Sequence, residues 1–326
     1  MKINSLSINN FYNINFNKDK KMVVFNRQPV SDCFVKSNDV AFCGVNFKEQ
    51  RQQKVDSFVR DMKQKVHSPK FSINDISNSM KKHVKNVNVK PMNQAPKELL
   101  YSSNLQGLYC EELAFDESSN TFFIPRKNRI FYTRTETLNK DFGNVWCAVN
   151  AAHELTHALQ SEDADLSQLK LFNEYVEQNK NDVDSALTQV KAAVGTINTI
   201  EESITRPFID LLTRNEELAY ERIQAGRTDM FGWLCRKSKT EDFGIYVREK
   251  VNSAIKSSEE KQGLNIDRNL VLEATINHFE KEIEAYENEG RAFKTFIGID
   301  SARALARVQI YQNSIDVLKE MKKEVV

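Results

Sequence analysis

The stretch around which the chain is organised is AAHELTHALQ, residues 151–160. It contains a His-Glu-x-x-His motif within a run that has the composition of a helix. Residues four apart lie on one face of a helix, so His153 and His157 can present two imidazole nitrogens to one metal ion. Glu154 is turned from His153 by about a hundred degrees, and from there its carboxylate can reach a water on that ion. The motif therefore predicts a zinc site with Glu154 as the general base.

The residues on either side of the motif support this interpretation. One face of the predicted helix carries Trp146, Asn150, His153 and His157. The opposite face has the apolar composition of a protein core. That opposite face consists of Val145, Val149, Ala152, Thr156 and Leu159. The alternative is a buried helix whose two histidines are only hydrogen-bonded. We favour the metal site because the whole chain has only five histidines.

The composition limits the classes of partner. The chain has 326 residues, 40% of them hydrophobic, enough for one large domain or two small ones. Lys and Arg number 46 against 45 Asp and Glu, so no basic surface indicates a nucleic-acid partner. No apolar run approaches the roughly 18 residues of a membrane span, and we expect no membrane partner. The oligomeric state stays open.

The cysteines and the first residues bear on the cellular compartment. The five cysteines are odd in number and scattered, which is atypical of a disulfide framework or a cysteine zinc site. The first twenty or so residues are rich in Asn and Lys and lack the apolar segment of a signal peptide. We expect a cytoplasmic protein, with leaderless export as the alternative.

The chain divides into a leader and one domain. Residues 1–48 have short apolar clusters without a sustained period, which predicts a flexible N-terminal leader. A sharper hypothesis is a prosegment in which Cys33 or Cys43 caps the metal. Residues 49–326 are predicted to form the domain, beginning with a helical pattern from 47 to about 89.

The spacing of apolar residues changes from a helical to a strand pattern before the motif helix. Between residues 108 and 133, aromatic and β-branched runs alternate with turn residues, which predicts two or three antiparallel strands. After residue 160 the pattern is helical throughout, and Pro207 fits the first turn of a separate helix. Later helices are expected near 241–257, 267–297 and 301–322. The predicted fold class is α+β, predominantly helical, with a small antiparallel sheet before the motif helix.

A catalytic zinc usually has three protein ligands and a water, so a third ligand is needed. Two later helical segments place a glutamate three residues before an alanine, at Glu216 and Glu282. This spacing puts the carboxylate and a methyl group on one face, so another helix can approach closely. Glu216 shares its stripe with apolar residues, whereas the stripe of Glu282 is small and polar and suits the alanine-rich motif helix. We favour Glu282 and keep Glu216 as the alternative.

These motifs resemble the gluzincin branch of the zincin metallopeptidases, in which a glutamate on a later helix completes the site. The resemblance implies that His153 and His157 are zinc ligands, that Glu154 is the general base, and that Glu282 or Glu216 is the third ligand. It further implies a zincin-like domain, a zinc cofactor, a peptide or protein substrate, and hydrolysis of peptide bonds.

The resemblance leaves the supporting residues unassigned. Tyr286 or Tyr220 follows the alanine, where many relatives carry the Asp or Asn that supports a ligand histidine. Both tyrosines are candidate oxyanion donors, with an ordinary place in the core as the alternative. His278 lies one turn before Glu282 and is a candidate transition-state stabiliser or supporting donor, or else a structural hydrogen-bonder.

The long helical C-terminal half supports a rival hypothesis from another class. It is longer than a small peptidase needs, so the chain could instead be a non-enzymatic helical interaction protein with a structural or vestigial zinc. A deep cleft over the two histidines would favour the enzyme, and side chains that fill this space would favour the rival.

Overall fold

The structure is a computed structural model that describes residues 47–96, 107–110, 113–125, 129–140, 142–162, 167–214 and 243–325. The helices of this part are α1 (Phe47–Lys63), α2 (Ile73–Met80), α3 (Gly143–Gln160), α4 (Ser167–Gln178), α5 (Val183–Arg214), α6 (Phe243–Gln262), α7 (Arg268–Ile297) and α8 (Ala302–Val325). The strands are β1 (Val87–Pro91), β2 (Gly107–Cys110), β3 (Ala114–Asp116), β4 (Thr121–Phe123) and β5 (Arg129–Thr133).

The predicted fold class is confirmed, since the chain is mostly helical and has a small sheet. Strands β1, β5 and β2 form one sheet in that order, and β3 pairs with β4. The leader 1–48 stays a prediction, because residues 1–46 lie outside the described residues, as do Cys33 and Cys43. Helix α1 begins at Phe47.

The strands between residues 107 and 133 pair antiparallel as predicted, but the additional strand β1 makes the three-stranded sheet mixed. Strand β2 runs antiparallel to β5, but β1 runs parallel to it, with Val87 opposite Arg129. The helical pattern had been extended to about residue 89, and this was wrong for β1. In that strand, Val87 and Val89 alternate with polar neighbours and face the core side. Its pairing with a strand some forty residues later has no local signature.

Pro207 does not begin a helix as predicted, because α5 runs through it from Val183 to Arg214. A proline inside a helix provides no N–H for the carbonyl four residues earlier, which here is Ser203. The hydroxyl of Tyr246 on α6 donates to this carbonyl oxygen at 2.7 Å. A tertiary hydrogen bond thus replaces the missing helical one.

Helix α3 carries the motif and is the central element. It packs against α1, the strands β2 and β5, and α7, so all of its residues except Trp146 are buried. It begins at Gly143 without a side-chain cap, and the side chain of Asn144 accepts a hydrogen bond from the Asn139 N–H. A Cβ at Gly143 would lie 1.7 Å from a carbonyl oxygen, so only glycine fits there.

Helix α7 joins the two main parts of the core. Its first half contributes to a cluster with α4, α5, α6 and α8, and its last turns join a cluster with α1, α2 and α3. The predicted small and polar stripe of α7 is buried as expected, and it consists of Ala274, Thr275, His278, Glu282, Ala285, Glu289 and Ala292. None of the described helices has the length and apolarity to cross a membrane.

Candidate metal centre

The packing of α3 against α7 brings His153, His157 and Glu282 together. The Nε2 atoms of the two histidines are 3.1 Å apart. Oε1 of Glu282 lies 3.4 Å from Nε2 of His157, and Oε2 lies 3.7 Å from Nε2 of His153. These three buried side chains form a group that could hold a metal ion.

The spacing of these atoms fits a small divalent ion. Zinc binds imidazole nitrogen and carboxylate oxygen at about 2.0–2.2 Å, so ligand atoms around a tetrahedral ion lie roughly 3.3–3.5 Å apart. The three separations of 3.1, 3.4 and 3.7 Å bracket this value. The donor set, two imidazoles and one carboxylate, is also one that catalytic zinc sites use.

Gln160 contacts His157 at Nδ1, the ring nitrogen that faces away from Glu282. Its Nε2 donates to the Lys281 carbonyl and to Glu284 Oε2, each at 3.1 Å, and its Oε1 lies 3.0 Å from Nδ1 of His157. Burial, and then the neighbouring His153, hold the pKa of His157 well below its ordinary value. His157 is therefore neutral, which is the form that ligates a metal.

His153 is held between Glu289 and Tyr286. Its Nδ1 atom lies 3.2 Å from Oε2 of Glu289, close enough for an ion pair but outside hydrogen-bond geometry. Burial lowers the pKa of His153, but contact with Glu289 and the charges of Glu154 and Glu282 raise it overall. The ring of Tyr286 packs edge-on against the imidazole with centroids 4.4 Å apart.

Glu154 faces the end strand of the three-stranded sheet. Its Oε2 accepts a hydrogen bond of 3.0 Å from the Tyr109 N–H of β2. A Cβ at Gly107 would lie 3.3 Å from its Oε1, so glycine lets the strand approach closely. Burial raises the pKa of Glu154 to about 7, and the nearby His153 opposes this rise.

The surroundings of the site have more buried carboxylates than cations. The five buried carboxylates are Glu154, Glu201, Glu282, Glu284 and Glu289. Three guanidinium groups face them, those of Arg51, Arg303 and Arg307. Buried charge is costly unless it is paired. Carboxylates thus outnumber guanidinium groups around the three candidate ligands, which favours the binding of a cation.

A second group of possible ligands shares Glu282 and adds Glu201 and His278. Nε2 of His278 lies 3.0 Å from Oε2 of Glu201, whose Oε1 accepts a 2.6 Å bond from Tyr311. Burial lowers the pKa of His278, but the charge of Glu201 raises it overall, and His278 in turn lowers the pKa of Glu201 against the effect of burial. Because both oxygens of Glu201 are already engaged, by His278 and by Tyr311, we interpret His278 and Glu201 as a buried ion pair.

The ion pair gives a stability prediction. Removing one partner of a buried pair typically costs about 3–5 kcal/mol, because the other charge is left unpaired. We expect His278→Ala to lower the free energy of unfolding by about this amount in denaturant titrations, with the metal content unchanged.

The matched control for this variant is His67→Ala, since His67 is exposed. A surface substitution of this kind should change stability by no more than about 0.5 kcal/mol. A loss of bound metal in His278→Ala without a large loss of stability would contradict the ion-pair interpretation and make Glu201 and His278 ligands.

The candidate residues predicted from the sequence are only partly within the described residues. Glu216 and Tyr220 lie outside them. Tyr286 lies beside the site, but its hydroxyl accepts a 2.5 Å hydrogen bond from Arg307 Nη1. His278 lies beside Glu282 and pairs with Glu201.

Sequence reasoning missed several supporting residues. Gln160 follows His157 by three residues and Glu289 follows Glu282 by seven, so both share a helical face with a predicted ligand. That spacing was the available signal. Glu201 and Arg51 reach the site only through tertiary packing, and no local pattern marks them.

The chain was compared with models of protein families, with curated proteins and with solved structures, and none of them matches it.

Proposed function

We propose that this protein is a zinc-dependent peptidase in which His153, His157 and Glu282 hold the ion and Glu154 is the general base. The observation that carries the proposal is the convergence of these three buried ligand groups beside Glu154, whose carboxylate accepts a hydrogen bond from the backbone of the end strand β2. Two imidazoles and a carboxylate suit zinc better than magnesium or calcium, which prefer oxygen ligands.

A zinc ion at this position would lower the pKa of a bound water toward 7 and polarise a substrate carbonyl. Glu154 accepts the proton from the attacking water and passes it to the nitrogen of the leaving amine. Burial favours the protonated form of this carboxyl, so the group can hold the proton between the two transfers. Oε2 is held by the Tyr109 N–H, so Oε1 is the atom that exchanges the proton.

The proposed substrate is an extended peptide lying beside β2. This strand is at the end of its three-stranded sheet and Glu154 is bound to its backbone. A peptide that pairs with a strand edge gains main-chain hydrogen bonds whatever its side chains are. Such pairing would place one peptide bond next to Glu154.

The proposal is tested by incubating zinc-loaded protein with a library of unstructured peptides and detecting new termini by mass spectrometry. We expect cleavage that a chelator abolishes and added zinc restores. Protein with His153→Ala, prepared in the same way, controls for contaminating peptidases. The proposal is wrong if the loaded wild-type protein cleaves no more than this control.

A second candidate is a structural metal in a non-enzymatic helical protein. The observation that favours it is burial: His153 is 7% exposed, Glu154 6%, His157 4% and Glu282 2%. Structural zinc sites are closed in this way, whereas catalytic sites keep one position open. In this case the protein would bind zinc and lose stability without it, yet the peptide library would stay intact.

A further inference from the structure

The N-terminal helix α1 is joined to His157 by a continuous chain of hydrogen bonds. Arg51 holds Glu284 with two of them, from Nε to Oε1 at 2.8 Å and from Nη2 to Oε2 at 2.9 Å. Oε2 of Glu284 also accepts from Nε2 of Gln160 at 3.1 Å, and Gln160 contacts His157 at 3.0 Å. We propose that Arg51 is a positioning residue for the metal centre that acts through Glu284 and Gln160. This inference rests on metal binding as in the proposed function.

The partners of Gln160 determine how its amide group is oriented. Its Nε2 faces two acceptors, the Lys281 carbonyl and Glu284, so this atom must be the amide nitrogen. The amide oxygen then faces Nδ1 of His157, which must carry the hydrogen. Nε2 of His157 is left with a lone pair, directed at the side chains of His153 and Glu282. The network thus selects the tautomer that a ligand at this position needs.

Arg51 keeps the acceptor of this network in place. The side chain of Glu284 is 11% exposed, and a buried carboxylate needs a cation or several donors. The guanidinium fork binds both carboxylate oxygens and so fixes the plane of the group as well as its position. Without Arg51, Glu284 would turn toward other donors or water, and Gln160 would lose its fixed acceptor.

The same two helices provide a matched control. Lys48 lies one turn before Arg51 on α1, and Glu287 lies one turn after Glu284 on α7. Nζ of Lys48 lies 3.3 Å from Oε2 of Glu287. These side chains are 59% and 38% exposed, against 16% and 11% for Arg51 and Glu284. An exposed pair of this kind contributes about 0–1 kcal/mol, and neither of its side chains has a hydrogen bond to Gln160 or His157.

The direction of the effect separates positioning from simple electrostatics. Removing the charge of Arg51 leaves Glu284 as an extra negative charge near the ion, which by itself would tighten cation binding. Loss of the oriented Gln160 and of the His157 tautomer would weaken it. The two explanations therefore predict changes of opposite sign.

The experiment measures zinc affinity of the full chain by competition with a chromogenic chelator. We expect Arg51→Gln to bind zinc roughly tenfold more weakly, at the lower end of the about 10–100-fold typical of residues that support a ligand. Arg51→Lys keeps the charge but loses the fork, so an intermediate loss is expected. Lys48→Gln should bind as the wild type does. Melting curves should show that zinc stabilises Arg51→Gln less than the wild type.

A background variant tests the route. In Gln160→Met the connection is already broken, so adding Arg51→Gln should cause no further loss of zinc affinity. Unchanged or tighter binding by Arg51→Gln and Arg51→Lys would overturn the inference, as would a full further loss in the Gln160→Met background. If the wild-type chain itself binds no zinc, the proposed function fails together with this inference. Failure of the Arg51 variants alone leaves the proposed function standing.

Discussion

Glu154→Gln is expected to abolish peptide cleavage while the protein keeps its zinc and its fold. Glutamine has nearly the same shape, and its amide can still contact the Tyr109 backbone, but it cannot accept a proton at neutral pH. General-base catalysis contributes about 10²–10⁴-fold to rates, so turnover should fall by at least about 100-fold. The measurement is the steady-state rate on the best peptide found in the library.

Two controls belong to this variant. Its zinc content should equal that of the wild type, because Glu154 is not one of the three proposed ligands. Glu162→Gln, a glutamate outside the site that pairs with Arg129, should retain its rate. An undiminished rate in Glu154→Gln would remove Glu154 as the base and leave metal binding as the only supported role of the motif.

Glu282→Ala is expected to have the largest effect on metal binding apart from the histidines. Its carboxylate lies 3.4 and 3.7 Å from the two Nε2 atoms and is 2% exposed. Substituting a residue that only supports a ligand typically lowers metal affinity by about 10–100-fold. Removing a ligand itself should therefore lower zinc affinity by at least about 100-fold. Dialysis against a mild chelator, followed by elemental analysis, should therefore remove the zinc.

Glu287→Ala is the matched control, since Glu287 lies on the same helix and its side chain is 38% exposed. It should keep its zinc through the same dialysis. Glu216→Ala addresses the alternative ligand, and we expect it to keep zinc too. Zinc lost only with Glu216→Ala would transfer the third ligand to that residue, and zinc kept in both variants would place the third ligand elsewhere.

The contact between the motif helix α3 and the helix α7 that carries Glu282 was predictable from the small residues on both helices. The stripe on α7 is small and polar, and α3 is rich in alanine, so the two backbones could approach and bring a short carboxylate within reach of the imidazoles. The structure brings these helices together, and Asn288 of α7 donates to Thr156 of α3 at 2.9 Å. The helices after residue 240 were also predictable because their apolar period is regular.

The features that the sequence did not predict depend on distant parts of the chain. Strand β1 pairs with a partner far along the sequence, and its short alternation resembles part of a polar helix. The helix continues through Pro207, and Tyr246 from another helix donates to the carbonyl of Ser203 that the proline leaves without an N–H. Arg51 lies 233 residues from Glu284, so no local pattern can connect them. In each case a tertiary contact overrides a local preference.

The metal content of the purified chain tests the central claim most directly. Native mass spectrometry and elemental analysis should find about one zinc per chain, as a single three-ligand site requires. The ion should be absent from both His153→Ala and His157→Ala, whereas His67→Ala should retain it. Zinc undiminished in both motif variants, or a wild-type chain that binds none at micromolar zinc, would contradict the assignment of this cluster as a metal centre.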